Sequence, residues 1–165
     1  MPRPATLIIS LFALVVTSVA ATSRPGDAAA QQGRPHAAAA KPVMQVYKSP
    51  TCGCCEKWVE HVKAAGFDVR VVDLDEGKLD AQKTRLGVGP RLQSCHTATV
   101  NGYVVEGHVP APDILRMLKE KPAIVGIAAP GMPRGSPGME MGATKDRYDV
   151  VSFDKSGASK VYASH

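Results

Sequence analysis

Residues 43–55 have the sequence VMQVYKSPTCGCC, and the fold prediction depends on this stretch. Its first six residues, Val43 to Lys48, are rich in β-forming side chains, and Ser49-Pro50 then predicts a turn. From Glu56 to Ala65 the apolar side chains recur at helical spacing, and Gly66 is a typical residue to end a helix. We therefore expect a strand, a turn that carries the cysteines, and a helix that follows directly.

The pattern continues with short elements of alternating type. Residues 67–74 alternate as a second strand, and a strand–helix–strand unit of this length favours a parallel pair with a right-handed crossover. Residues 80–86 predict a short helix. Residues 97–106 predict a hairpin with Asn101-Gly102 as its type I′ turn. Residues 113–119 predict a last helix, with its first residue, Asp113, as the cap. The order βαβα-ββα predicts an α/β fold with a thioredoxin-like core.

The C-terminal part adds a segment that such a core does not require. Residues 128–142 are dense in Gly, Pro and Met and predict a loop, and residues 148–153 and 158–162 predict a β-hairpin. We expect this extension to pack back on the core or to shape the site. Met132, Met139 and Met141 lie in the loop, and their roles stay open, because a thioether is a soft copper(I) ligand and also a flexible apolar filler.

The N-terminal sequence predicts export. Residues 1–20 combine a basic start, an apolar run and small residues, which is the order of a cleavable signal peptide. Residues 21–41 have no large apolar side chain, so we expect a flexible linker. Residues 42–165 then form the single folded domain. A periplasmic or otherwise exported protein with no membrane span after signal removal is the expected product.

The charge pattern gives no sign of a nucleic-acid partner. The net charge is +5, from 20 basic and 15 acidic residues. The two signs are interspersed, with no basic run and almost no aromatic side chains between basic ones, which is typical of a solvated mixed surface.

The chain contains four cysteines: Cys52, Cys54, Cys55 and Cys95. Cys52 and Cys55 form a C-x-x-C pair at a predicted helix N-terminus, where the helix dipole favours the thiolate. A thiolate is both a nucleophile for disulfide exchange and a ligand for soft metals. Exchange needs only this pair, and Cys54 would offer competing disulfides. Sulfurs crowded on one turn favour copper(I), which several thiolates can share.

Three other interpretations of the cysteines stay open at this point. Two structural disulfides have three possible connectivities, although the crowded turn suits them poorly. A zinc ion would take His96 as a fourth ligand, but it needs a tetrahedral arrangement that two adjacent cysteines seldom give. A thiol-disulfide oxidoreductase would use Cys52 and Cys55 alone. His96 and His108 flank the predicted hairpin, where they could orient or supplement the cysteine cluster or be ordinary turn residues, and the role of His108 stays open.

Several segments resemble the CopG type of periplasmic copper-resistance proteins. The matching segments are YKSPTCGCC at 47–55, SCHT at 94–97, EGHVP at 106–110, and GMPxGSPGME at 131–140 with Arg134 at the variable position. The resemblance implies a thioredoxin-like fold, copper held by the C-x-C-C cysteines and the later cysteine, and a role in copper tolerance. A redox role on copper or thiols is suspected for this family. Ordinary thioredoxins place a cis-proline where this chain has Cys95-His96-Thr97, which weakens the case for a generic disulfide oxidoreductase.

The sequence thus predicts an exported protein that binds copper(I), in a polynuclear site if several thiolates share the ions. The expected metal ligands are Cys52, Cys54, Cys55 and Cys95, with His96 as an additional partner. Copper ions are the expected cargo, and copper-efflux or copper-oxidase proteins of the envelope are the expected recipients.

Overall fold

The computed structural model of the protein describes residues 40–165. The predicted signal peptide at residues 1–20 lies outside this range, as does all but the end of the predicted linker at residues 21–41. Among the helices of the described part, none is both long and apolar enough to cross a membrane.

The described residues form a mixed α/β structure with seven strands and three helices. The strands are β1 (Val43–Lys48), β2 (Asp68–Asp73), β3 (His96–Val100), β4 (Tyr103–Glu106), β5 (Gly126–Ala128), β6 (Asp149–Phe153) and β7 (Ser159–Ser164), and the helices are α1 (Gly53–Ala64), α2 (Glu76–Arg85) and α3 (Ala111–Glu120). A short 3-10 helix spans Pro90–Leu92. The predicted order βαβα-ββα agrees with the elements from β1 to α3.

All seven strands join one sheet in the order β2-β1-β3-β4-β5-β6-β7. The β1–β2 pair is parallel, as the strand–helix–strand pattern predicts, and the β4–β5 pair is parallel as well. The β3–β4 hairpin turns at Asn101 and Gly102, whose φ angles are +48° and +85°. Two successive positive φ angles are what a type I′ turn requires, so this prediction is confirmed.

The sheet has an apolar core on each face. Side chains alternate along a strand, so Val104 and Val105 of β4 face opposite sides. Val105 belongs to the larger cluster, which includes Trp58 of α1 and Ile114 of α3. Val104 belongs to the smaller cluster, with Phe153 of β6. Helix α1 therefore lies on one defined face of the sheet, with its first turn beside the strand end that leads into it.

The helix starts differ from their predicted positions. Helix α1 begins at Gly53, so two of the cysteines lie inside its first turn. Helix α2 begins at Glu76 instead of residue 80, because the Asp75 carboxylate accepts the Lys78 backbone N–H at 3.0 Å and caps the helix. Helix α3 begins at Ala111 after Pro110, so the prediction of Asp113 as the cap is wrong. Pro110 is the N-cap residue, and Pro112 lies in the first turn, where the missing N–H of a proline has no partner to lose.

The C-terminal extension continues the sheet. Strand β5, which the sequence did not predict, pairs with β4 on one side and with β6 on the other. The predicted C-terminal hairpin is present as β6–β7, and it forms one end of the sheet. The chain end is attached to α3, since His165 Nε2 lies 2.8 Å from Asp113 Oδ2 and the Arg116 guanidinium lies 4.0 Å from the centre of the Tyr162 ring. The long Gly/Pro/Met loop connects β5 to β6.

Candidate metal centre

The start of α1 holds three of the four cysteines. Cys52 is the N-cap residue, and its backbone N–H donates to Ser49 O at 3.2 Å. Cys52 and Cys55 are joined by a disulfide, with their Cα atoms 5.3 Å apart, whereas Cys54 and Cys95 carry free thiols. The two-disulfide arrangement is therefore not the one present.

Cys95 brings the fourth sulfur from the loop before β3. Its Sγ lies 3.4 Å from Cys55 Sγ and 3.9 Å from Cys54 Sγ. Cys54 Sγ lies 3.5 Å from Cys52 Sγ. All four sulfurs lie within 4.8 Å of one another, so the predicted convergence of the turn and the loop is present in the structure. The cluster sits at the N-terminus of α1, where the helix dipole favours bound thiolates.

His108 makes the shortest contact to Cys95 among the groups around this thiol. Its Nε2 lies 3.0 Å from Cys95 Sγ, and its Nδ1 lies 2.8 Å from Pro137 O. A carbonyl oxygen only accepts, so Nδ1 carries the proton and donates it. Burial lowers the pKa of His108, which favours the neutral ring. The Nε2 atom therefore carries the lone pair, and it faces Cys95. A neutral imidazole nitrogen of this kind is able to bind a metal ion.

The sequence contains a signal for this contact that residue types alone do not show. In the β3–β4 hairpin, Thr97 pairs with Glu106. Counting outward from that pair places residue 95 opposite residue 108. A hairpin register fixed by the Asn101-Gly102 turn is thus sufficient to bring His108 beside Cys95.

His96 lies behind Cys95 in the core. It is completely buried, its Nδ1 is 3.4 Å from Cys95 Sγ, and Nε2 has no hydrogen-bond partner among the described residues. The ring centre lies 4.4 Å from that of Trp58 and 4.9 Å from that of His108. Burial, followed by the nearby His108, lowers the pKa of His96 well below its usual value, so this imidazole is neutral.

The Cys95 thiol is protonated in the metal-free protein. Burial raises its pKa to about 12, and the neighbouring Cys54 thiol contributes in the same direction. A soft cation at this position would replace that proton, because the thiolate is the form that binds metal.

The Gly/Pro/Met loop closes one side of the cluster. Gly138 has φ of +86° and sits so close to α1 that a Cβ there would lie 2.7 Å from Cys54 O and 2.9 Å from Trp58 N. Pro137, just before it, holds His108 through its carbonyl. Met139 is buried and fills space, whereas Met132 and Met141 are 54% and 67% exposed and do not cover the core.

Two sets of side chains in this region have the composition and spacing of a metal site. One is the four cysteines, and the other is Cys95 with His96 and His108. Cys95 belongs to both sets. Thiolates with imidazole nitrogens form a donor set that suits copper(I). The full sulfur set requires that the Cys52–Cys55 disulfide be opened first.

Comparisons with known proteins identify relatives of this chain. Residues 92–139 match a family model described as a protein of unknown function, DUF411. A search of curated proteins finds no match to the chain. Two solved structures, named copper resistance protein copG Form 1 and Form 2, are 46% and 45% identical to it. Each alignment covers 76% of this chain and 98% of the copG chain, with a TM-score of 0.70.

The alignment covers almost the whole of a copper-resistance protein, and its sequence identity is far higher than that of proteins that share only a fold. The chain belongs to the CopG family of copper-resistance proteins.

Proposed function

We propose that this protein is an exported copper(I)-binding protein that contributes to copper tolerance. Cys52, Cys54, Cys55 and Cys95 are the sulfur ligands, and His96 is an additional partner in a site for more than one ion. The observation that carries this proposal is the convergence of four sulfurs within 4.8 Å, drawn from two separate segments. The names of the two related structures support copper as the cargo.

The proposed site exists in two redox states. The described state has the Cys52–Cys55 disulfide. Opening this bond takes two electrons and two protons, which a dithiol reductant supplies while it becomes a disulfide itself. The reverse reaction can also reduce copper. Two copper(II) ions each take one electron from the dithiol, the disulfide forms, and two protons leave. A copper redox activity would therefore use the same pair of cysteines.

Copper(I) titration of the reduced protein, without oxygen and against a competing chelator, tests this function. We expect more than one tightly held copper per chain. Cys54→Ser should lower the stoichiometry, and Cys95→Ser should abolish the shared site. His61→Gln, which removes a histidine outside the cluster, serves as the control. If the Cys54→Ser protein binds as many coppers as the wild type, the cluster assignment is wrong.

A second function is supported by the disulfide itself. Cys52 and Cys55 are the N-cap and third residue of α1, which is the arrangement that a thiol-disulfide oxidoreductase uses. We also infer that the elements from β1 to α3 are a thioredoxin-like core, which is compatible with this activity. Such an enzyme would reduce insulin disulfides, and the activity would survive Cys54→Ser and Cys95→Ser but not Cys52→Ser. Loss of activity in all three variants would instead favour the four-sulfur site.

We propose further that residues 1–20 direct export and that the loaded protein passes copper to an efflux or oxidase partner of the envelope. Cell fractionation of the full chain and of a chain without residues 1–20 tests the first step. We expect the full chain in the periplasm and the shortened chain in the cytoplasm. The same distribution for both chains would contradict it.

A further inference from the structure

A buried ion pair lies on the sheet face opposite His96. Lys83 of α2 contacts Glu106 of β4, and their side chains are only 3% and 0% exposed. Glu106 faces the α2 side because it pairs with Ala128, a member of the smaller core cluster. Replacing such a pair with apolar side chains is often neutral or stabilising, so the pair is not explained by stability alone.

The Glu106 carboxylate also anchors the loop that carries Cys95. Oε1 accepts the Ser94 backbone N–H at 2.7 Å as well as the Lys83 ammonium. Within the described residues, Oε2 has no hydrogen-bond partner. Oε1 thus accepts from both Lys83 and Ser94, so the carboxylate faces Ser94, the residue directly before Cys95.

The residues that follow Glu106 hold the other sides of the Cys95 segment. The Gly107 backbone N–H donates to His96 O at 3.0 Å. Gly107 has φ of +71°, and a Cβ there would lie 2.5 Å from Ser94 Cβ. His108 then contacts the Cys95 sulfur itself. Three successive residues of one turn therefore fix the residue before Cys95, the residue after it, and its side chain.

We propose that Glu106 is a positioning residue for the Cys95 thiol and that it acts through its hydrogen bond to Ser94 N–H, while Lys83 balances the buried charge of its carboxylate. Residues 106–108 form one support for the Cys95 segment, and the hydrogen bond from Ser94 N–H to Glu106 fixes its starting point. Without this anchor, the loop would let the Cys95 sulfur move away from the three sulfurs of the α1 turn. The copper part of this inference rests on the proposed function, but the positioning itself does not.

A thiol-reactivity experiment tests the positioning without any metal. In the metal-free protein with its Cys52–Cys55 disulfide, Cys54 and Cys95 are the two free thiols. Lys83→Met with Glu106→Met removes the charges and the acceptor, and methionine adapts well to a core. We expect faster alkylation of Cys95 and an unchanged rate for Cys54, both followed by peptide mass spectrometry.

Lys83→Met with Glu106→Gln is the matched variant, because it also removes both charges but keeps an acceptor oxygen for Ser94 N–H. We expect its Cys95 rate to equal that of the wild type. Lys78→Met with Asp75→Asn removes an exposed ion pair at the start of the same helix and should change neither rate. If the methionine variant does not fold, the glutamine variant decides alone, since a faster Cys95 rate in it would overturn the proposal.

Copper(I) affinity provides the second measurement. The methionine variant should bind copper(I) roughly 10- to 100-fold more weakly, as for residues that support metal ligands in other proteins, and the glutamine variant should not. The loss should disappear in a Cys95→Ser background. A loss that persists there, or equal losses in both variants, would overturn the positioning role. If the wild type takes up no copper(I), the proposed function fails, whereas the alkylation rates still decide the positioning.

Discussion

At the scale of single residues, Cys95 connects two groups of side chains that could hold a metal ion. Its sulfur contacts two cysteines of the α1 turn on one side and two imidazoles on the other. The imidazoles are buried and neutral, so they offer lone pairs and no competing positive charge. A copper ion at Cys95 can therefore have nitrogen neighbours that an ion at Cys52 does not have.

This arrangement predicts that His108→Ala weakens copper(I) binding by roughly 10- to 100-fold, because the nitrogen closest to Cys95 is lost. Competition with a copper(I) chelator measures the effect. His61→Gln is the control, since that residue binds the Ala111 backbone N–H instead of a cysteine. An affinity for the His108→Ala protein that equals that of the wild type would show that the Nε2 contact is only structural.

The sequence predicts most of the proposed ligand set and leaves part of it open. The cysteines stand out by type and spacing, and their loop was expected beside the turn. His108 lies thirteen residues from Cys95, and its segment EGHVP does not reveal that contact, which follows from the strand register. Glu106 was overlooked for a different reason, because its partner Lys83 lies 23 residues away on α2 and only the folded structure brings the two side chains together.

At the scale of elements, the Gly/Pro/Met loop is seated on the first turn of α1. The contact is possible because Gly138 has no side chain where the loop meets the backbone of Cys54 and Trp58. The loop also keeps the proton of His108 on Nδ1 through the Pro137 carbonyl. The position of this loop therefore affects the cysteine turn and the histidine together.

We expect Gly138→Ala to lower the free energy of unfolding by roughly 1–3 kcal/mol, because the added methyl group would overlap backbone atoms that cannot easily move. Chemical denaturation measures this change. Gly142→Ala is the matched control, since Gly142 has a similar φ of +76° but an added Cβ would meet nothing within 4 Å. Equal losses in the two variants would mean that backbone strain alone is responsible and that the close approach to α1 contributes nothing.

The elements themselves were predicted with uneven success for physical reasons. The β1–α1–β2 unit and the β3–β4 hairpin follow from periodicity and from turn residues that act locally. Strand β5 has only three residues, and it is a strand because β4 and β6 provide partners on both sides. No local pattern can predict an element whose hydrogen bonds all come from distant segments.

At the scale of the whole molecule, His61 connects two helices that lie on the same core. Its Nε2 accepts the Ala111 backbone N–H at the start of α3, at 3.0 Å. Burial lowers the pKa of His61, with Glu140 opposing the shift. Protonation of Nε2 would remove this acceptor, so the contact between the helices depends on the neutral ring.

The stability of the protein should therefore decrease as the pH falls below the pKa of a histidine in the unfolded chain, which is about 6.5. In this range the unfolded chain binds the proton more readily than the folded protein, so acid favours unfolding. The contribution of His61 is complete above that pH and is lost toward its lower folded-state pKa. Denaturation midpoints measured between neutral and mildly acid pH should fall less steeply for His61→Gln than for the wild type. Parallel curves for the two proteins would contradict this role.

The packing of Trp58 against His96 has a practical consequence. Trp58 is the only tryptophan of the chain, and its ring lies one histidine away from the Cys95 sulfur. Its emission therefore comes from the immediate neighbourhood of the sulfur cluster and from nowhere else in the protein. The molecule carries an intrinsic optical reporter of events at its own site, so metal uptake or disulfide opening can be followed in the unmodified protein without an added dye.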